Sequence, residues 1–103
     1  MSGYVYRIYD DAGALLYIGS TDNVVRRIDG HFKSQWSCAE NAALRERFAS
    51  YDFEVFPTLA EARAAEKVAI HDEAPLLNKM HNPKRWTKVP VTNQYVPVEL
   101  VSA

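Results

Sequence analysis

Two short runs of strand-forming residues, separated by a tight turn, constrain this chain more than any other feature. Tyr4-Val5-Tyr6-Arg7-Ile8-Tyr9 consists mainly of β-branched and aromatic residues, which fit a pleated surface. Leu15-Leu16-Tyr17-Ile18-Gly19 follows after Asp10-Asp11-Ala12-Gly13-Ala14, a segment of turn-forming residues. The pattern predicts a β-hairpin, so the fold begins with an antiparallel pair.

The rest of the chain reads as elements that build on this hairpin. Thr21 and Asp22 are both good helix N-caps, and Val24 and Ile28 recur four residues apart, which predicts about two helical turns ending at His31. Phe32 to Cys38 shows no clear period and reads as a loop. Ala39 to Phe48 has Ala43, Leu44 and Phe48 on one side and reads as a second helix. Tyr51 to Phe56 has strand composition and can pair with the hairpin as a third strand. Thr58-Leu59-Ala60-Glu61 matches a capping box opening a third helix, which should stop by Ala74 because Pro75 disfavours helical geometry in the residue before it. From Asn82 onward Pro83, Pro90 and Pro97 alternate with valines, so the end of the chain should be extended, as an edge strand or a loose arm. The order ββααβα with a tail is an α+β pattern. At 103 residues one domain is expected, with a body over 1–82 and a basic extension over 83–103.

Composition narrows the function. An apolar fraction of 48% with 24% charged residues is that of an ordinary globular protein. The first nine residues lack the pattern of a signal peptide, and no run approaches the roughly 20 apolar residues of a membrane span. A soluble, cytoplasmic protein is expected. Cys38 is the single cysteine, which leaves no internal disulfide and no multi-cysteine zinc site. A net charge of −1 and a pI near 6.3 give no global attraction to nucleic acid, so any such affinity must be local. Leu76 to Val98 supplies one candidate, with Lys79, Lys84, Arg85 and Lys88 and no acidic residue. It also reads as a solvated basic tail.

Glu66 stands out on geometry alone. At about 100° per residue, Leu59, Ala62, Ala69 and Ile70 fall within about 60° of it, placing a carboxylate on an apolar helix face. Such a group is tolerated when it is paired or binds a metal. Arg63, also about 60° away, offers the plainer reading of a salt bridge at the stripe's edge. Of the adjacent arginines, Arg26 points about 160° away from Val24 and Ile28, so Arg27 is the one held near the core, where it can clamp a phosphate or form a structural ion pair. His31 shares the Arg27 face at i, i+4; taken alone, such a histidine at a helix C-terminus is more often a capping or core residue than a catalytic group. Tyr6 and Tyr17, taken singly, are ordinary strand tyrosines.

Taken in order, Tyr4-Val5-Tyr6, Tyr17-Ile18-Gly19-Ser20-Thr21, Arg27, His31, Glu66 and Pro75-Leu76-Leu77-Asn78 resemble the GIY-YIG nuclease family from the first strand to about Asn78. The first motif departs from the family's Gly-Ile-Tyr, because Tyr4 stands at the glycine position and Gly3 lies one residue too early. The resemblance implies a small three-stranded antiparallel sheet flanked by helices and a divalent-metal-dependent DNA endonuclease with a single Mg²⁺ (or Mn²⁺). By the same resemblance Glu66 would ligate the metal, Arg27 would clamp the scissile phosphate, and Tyr6 would act as general base, its pKa lowered by Arg27 or His31. Tyr17 would support Tyr6 or the phosphate, and Asn78 would orient Glu66. DNA is the expected partner, with Arg27, Lys84, Arg85 and Lys88 as contacts, and a partner protein or a dimer would add specificity. The alternative is a nucleic-acid-binding module of the same fold without turnover.

Overall fold

The hairpin forms where the composition changes from strand to turn residues and back. In the computed structural model, which describes residues 2–31, 39–78, 80–84, 86–88 and 95–97, β1 (Gly3–Tyr9) pairs antiparallel with β2 (Leu15–Thr21). Tyr6 stands opposite Gly19, and Val5 opposite Ser20. β3 (Ser50–Phe56) pairs with the other edge of β1, with Phe53 opposite Tyr6, giving the sheet order β2-β1-β3.

Asp10 fixes the turn. Its Oδ1 accepts from the backbone N–H groups of Ala12 at 3.0 Å and Ala14 at 2.8 Å, while Gly13 takes the positive φ of 84° that the turn needs. Only 6% exposed, Asp10 is also paired with Arg47 at 3.0 Å. These three contacts outweigh burial, which alone would raise its pKa, and hold the carboxyl below its ordinary value. Just beyond the turn the register slips between Ile8 and Tyr9, leaving Leu16 as an extra residue on β2. The bulge breaks strict alternation, so Leu16 and Tyr17 both reach one core cluster while Leu15 and Ile18 serve the other.

Each face of the sheet is covered by helices. On one side Tyr6, Ile8 and Leu16 pack with Val24 and Ile28 of α1 (Val24–His31) and Leu44 of α2 (Ala39–Arg47). On the other, Val5 and Ile18 pack against Ala62, Ala69 and Ile70 of α3 (Leu59–Glu73). α3 starts and stops where the capping residues predict. Thr58 accepts from the Glu61 N–H at 3.2 Å, and Ala74 closes the helix in left-handed geometry with its N–H on the Ile70 carbonyl at 3.0 Å. For α1 the cap is neither Thr21 nor Asp22. The Thr21 hydroxyl bonds the backbone of Asn23, and the Asn23 side chain takes over the cap, accepting from the Arg26 N–H at 3.1 Å. The segment expected as a loop, Phe32 to Cys38, lies outside the described residues.

Gly3 explains the displaced glycine of the first motif. A Cβ there would lie 2.6 Å from both the Leu59 Cα and the Thr58 carbonyl oxygen, so only glycine lets β1 begin against the first turn of α3. Tyr4 turns to the opposite face, edge-on to Phe53 at 5.7 Å.

The free edge of β2 is covered rather than exposed. Leu76 and Leu77 donate to the Leu15 and Leu16 carbonyls at 3.2 and 2.8 Å, laying the segment after Pro75 along the strand. The extended tail residues make a ladder of their own. β4 (Trp86–Lys88) pairs with β5 (Tyr95–Pro97) in a two-stranded sheet separate from the main one. Among the described residues no helix is long and apolar enough to cross a membrane.

Candidate active site

Tyr6 is fully buried, and its ring lies over Gly19 on the neighbouring strand, where an added Cβ would collide with the hydroxyl end of the ring. That glycine therefore fixes how the phenol reaches the end of the sheet. Tyr17 packs beside it, with ring centroids 6.2 Å apart. The hydroxyl of Tyr6 accepts from Arg27 Nε at 3.3 Å. Helical periodicity separates the two arginines as expected: Arg26 is 78% exposed and stands 3.8 Å from Asp22, whereas Arg27 is half-buried.

The electrostatics of this pair correct one expectation. Burial pushes the Tyr6 phenol well above its ordinary pKa, and Tyr17 pushes it further, while the hydrogen bond and charge of Arg27 act the other way without balancing them. Tyr6 is thus a neutral phenol at neutral pH rather than a group brought down towards it. Arg27 is held above its ordinary value: burial works against its charge, but Tyr6, Tyr17 and Glu66 together favour it.

Glu66 lies on α3, half-buried, on the face the spacing predicts. Its partner is not Arg63, which is exposed. Ser20 Oγ donates to Glu66 Oε2 at 2.5 Å. Ser20 shares the α3 side of β2 with Ile18, so strand alternation carried to the end of β2 was the available signal. The carboxylate retains acceptor capacity beyond the serine bond. Its charge bears on both Tyr6 and Arg27, which brings the residues from the two sides of the sheet into one electrostatic site.

Asn78 acts on β2 rather than on Glu66 directly. Its Oδ1 accepts from the Ile18 N–H at 2.8 Å and its Nδ2 donates to the Ile18 carbonyl at 2.9 Å, extending the edge covered by Leu76 and Leu77. Asn78 is held in turn by Asn82, whose Nδ2 donates to its carbonyl at 2.9 Å. His31 is the last residue of α1, and its side chain lies outside the described part of the molecule.

These elements border a polar cleft of about 460 Å³ between α1 and α3. Ser20, Thr21, Asp22, Arg26, Arg27 and Arg63 line it. Among the described lining residues three guanidiniums stand against one carboxylate, which makes this wall locally cationic in a chain of net charge −1. Among the described residues, none of the tail contributes to this lining. Lys84 is exposed, with its ammonium 5.7 Å from the Trp86 ring centroid; Arg85 lies outside the described residues, as does the side chain of Lys88. Among the described residues no three His, Cys, Asp or Glu side chains cluster as a ready-made metal cage. The donor set at Glu66 is a single carboxylate, which suits a hard cation that keeps waters and takes the remaining oxygens from a substrate phosphate.

Comparison with known proteins agrees with the motif order. A family model described as the GIY-YIG catalytic domain matches residues 2–81. Proteins named UvrABC system protein C are similar over 74 residues, 72% of this chain: that of Saccharophagus degradans is 32% identical, and those of Idiomarina loihiensis and Proteus mirabilis are each 31% identical. The matched stretch spans 12% of the length of each of these relatives.

Proposed function

Because the chain belongs to the GIY-YIG family, we propose that it is a divalent-metal-dependent endonuclease that hydrolyses DNA phosphodiester bonds at the α1–α3 cleft. The observation that carries this reading is one cleft lined both by Arg27, a half-buried arginine bonded to a neutral phenol, and by Ser20, whose hydroxyl is bonded to the half-buried carboxylate of Glu66. A structural carboxylate is normally matched by a cation, whereas Glu66 is bonded to a serine among the described residues.

Arg27 holds the scissile phosphate, its planar fork suiting two non-bridging oxygens and its charge offsetting what builds up there in the transition state. Tyr6 fixes Arg27 and orients the attacking water by hydrogen bonding. Its raised pKa speaks against proton abstraction in the resting protein, so the base role implied by resemblance gives way to a positioning one. Tyr17 packs Tyr6 in place. Glu66, steadied by Ser20, would hold Mg²⁺ or Mn²⁺, which when bound supplies Lewis-acid stabilisation of the leaving oxygen. The likeness to UvrABC system protein C supports a DNA substrate, and specificity would come from a partner or from the basic tail with Lys84, Arg85 and Lys88.

Nicking of supercoiled plasmid tests the proposal. Glu66→Ala and Arg27→Ala should each lower the rate by about 10²–10³-fold with circular dichroism unchanged, and a chelator should silence the native protein. Metal-independent cleavage, or a folded variant that cuts at the native rate, contradicts it. DNA binding with no cleavage under any metal identifies the non-catalytic module instead.

A further inference from the structure

Arg63 sits three residues before Glu66, on the exposed side of α3, and lines the same cleft as Arg27. Among the described residues its guanidinium makes no ion pair or side-chain hydrogen bond. Arg26 reaches the cleft from the α1 side, and its one ion pair among the described residues is the long 3.8 Å contact to Asp22. An arginine left without a carboxylate on a polar concave wall retains its full capacity for an anion. At about 460 Å³ the cleft falls in the range of about 300–1,000 Å³ that accommodates ligands well beyond a single phosphate group.

We infer that Arg63, with Arg26 opposite it, binds DNA backbone phosphates flanking the one that Arg27 holds, so that the α1–α3 cleft itself is a principal DNA-binding track. This rests on the endonuclease reading for the identity of the polyanion but not on turnover. Electrostatics favours it over a track confined to the tail. The net charge of −1 gives no global steering, and the cleft concentrates three of the chain's cationic residues at the site of chemistry. Asp22 is the acidic residue in the described lining, and its contact with Arg26 makes Arg63 the stronger of the two contributors. These residues do not act on the reacting atoms; their effect is on binding.

The test is binding of a fluorescent 20-base-pair duplex by the full chain in chelator, across a salt series, followed by nicking kinetics in Mg²⁺. Lys67→Ala removes a cation from the same helix outside the cleft and serves as the charge control. Arg63→Ala should weaken binding about 5–10-fold and reduce the slope of log K against log salt by about one. Arg26→Ala should act in the same direction and less, and Arg63→Lys should recover most of the loss. In nicking, Arg63→Ala should raise KM with kcat within about two-fold. Binding by Arg63→Ala equal to native, or an equal loss in Lys67→Ala, overturns the inference. A native protein that binds without cutting, with Arg63→Ala weakened, removes the endonuclease reading and leaves this one standing.

Discussion

Arg7 and Arg27 are the same chemical group on opposite faces of one sheet, and their surroundings could hardly differ more. Arg7, its side chain 15% exposed, is enclosed by carboxylates: Nη1 reaches Glu54 at 2.6 Å, and Nε and Nη2 make a two-pronged contact with Glu73 at 2.9 and 2.7 Å. Its pKa is driven up chiefly by the Glu73 hydrogen bond. Arg27 donates to a neutral phenol and opens on a cleft with two further arginines. A guanidinium saturated by carboxylates stabilises a fold. One that lines a cleft beside two further guanidiniums faces the place where an anion would enter. The difference teaches that what an arginine faces, rather than its burial, separates structural from functional use.

That contrast is broken most directly by truncating both arginines. Arg27→Ala should lose about 10²–10³-fold in nicking while stability, followed by urea unfolding, changes by about 1 kcal/mol or less. Arg7→Ala should reverse the pattern, losing about 1–3 kcal/mol because Glu54 and Glu73 lose their cation, with activity per folded molecule retained. Parallel losses in both variants would mean that the two faces are not functionally distinct.

Tyr6→Phe sharpens the comparison on the α1 face. It should slow nicking by about 10²-fold, and by the same factor at each pH from 6 to 9. A neutral phenol whose pKa is raised by burial does not titrate there. A native rate that climbs tenfold per pH unit, together with a pH-independent Tyr6→Phe rate, would restore the base role to Tyr6.

Asn78→Ala probes how far the site depends on the strand behind it. Two hydrogen bonds to Ile18 are lost, at a cost of about 1–3 kcal/mol, and nicking should fall less than tenfold because Ser20 still reaches Glu66. A loss as large as that of Arg27→Ala would move Asn78 into the reacting centre.

The smallest effect belongs to Asp10, far from the cleft. Its depressed pKa means that its ionised form contributes stability above the unfolded carboxyl value near 4 and loses it as pH falls through the lower folded value. Asp10→Asn should therefore destabilise the protein at pH 7 and much less at pH 3, seen as a flattened acid limb in Tm against pH. An equal deficit at both pH values would assign the cost to packing alone.

Much of this was legible in the sequence where the physics is local. The 3.6-residue period separated Arg27 from Arg26 and put Glu66 on the buried stripe of α3. Thr58 and Pro75 bounded that helix, and the Asp10-to-Ala14 turn fixed the hairpin. What escaped depends on groups brought together from afar. Ser20 meets Glu66 across 46 residues and Asn78 meets Ile18 across 60, and neither is visible to periodicity. The α1 cap passed from Thr21 and Asp22 to Asn23 because the Thr21 hydroxyl found a nearer backbone partner. The direction of the Tyr6 shift escaped because a nearby arginine suggests a lowered pKa, while full burial of the phenol, known only from the packed sheet, wins.

The central claim, that one carboxylate on α3 makes this cleft a metal-dependent phosphodiester-cleaving site, is tested most directly by the Mg²⁺ dependence of plasmid nicking for the native chain and Glu66→Gln. The substitution keeps the size of the side chain and a bond to Ser20 while removing the charge. The native rate should rise and saturate with Mg²⁺, and Glu66→Gln should stay near background at every concentration. A Glu66→Gln curve that overlays the native one would contradict the account.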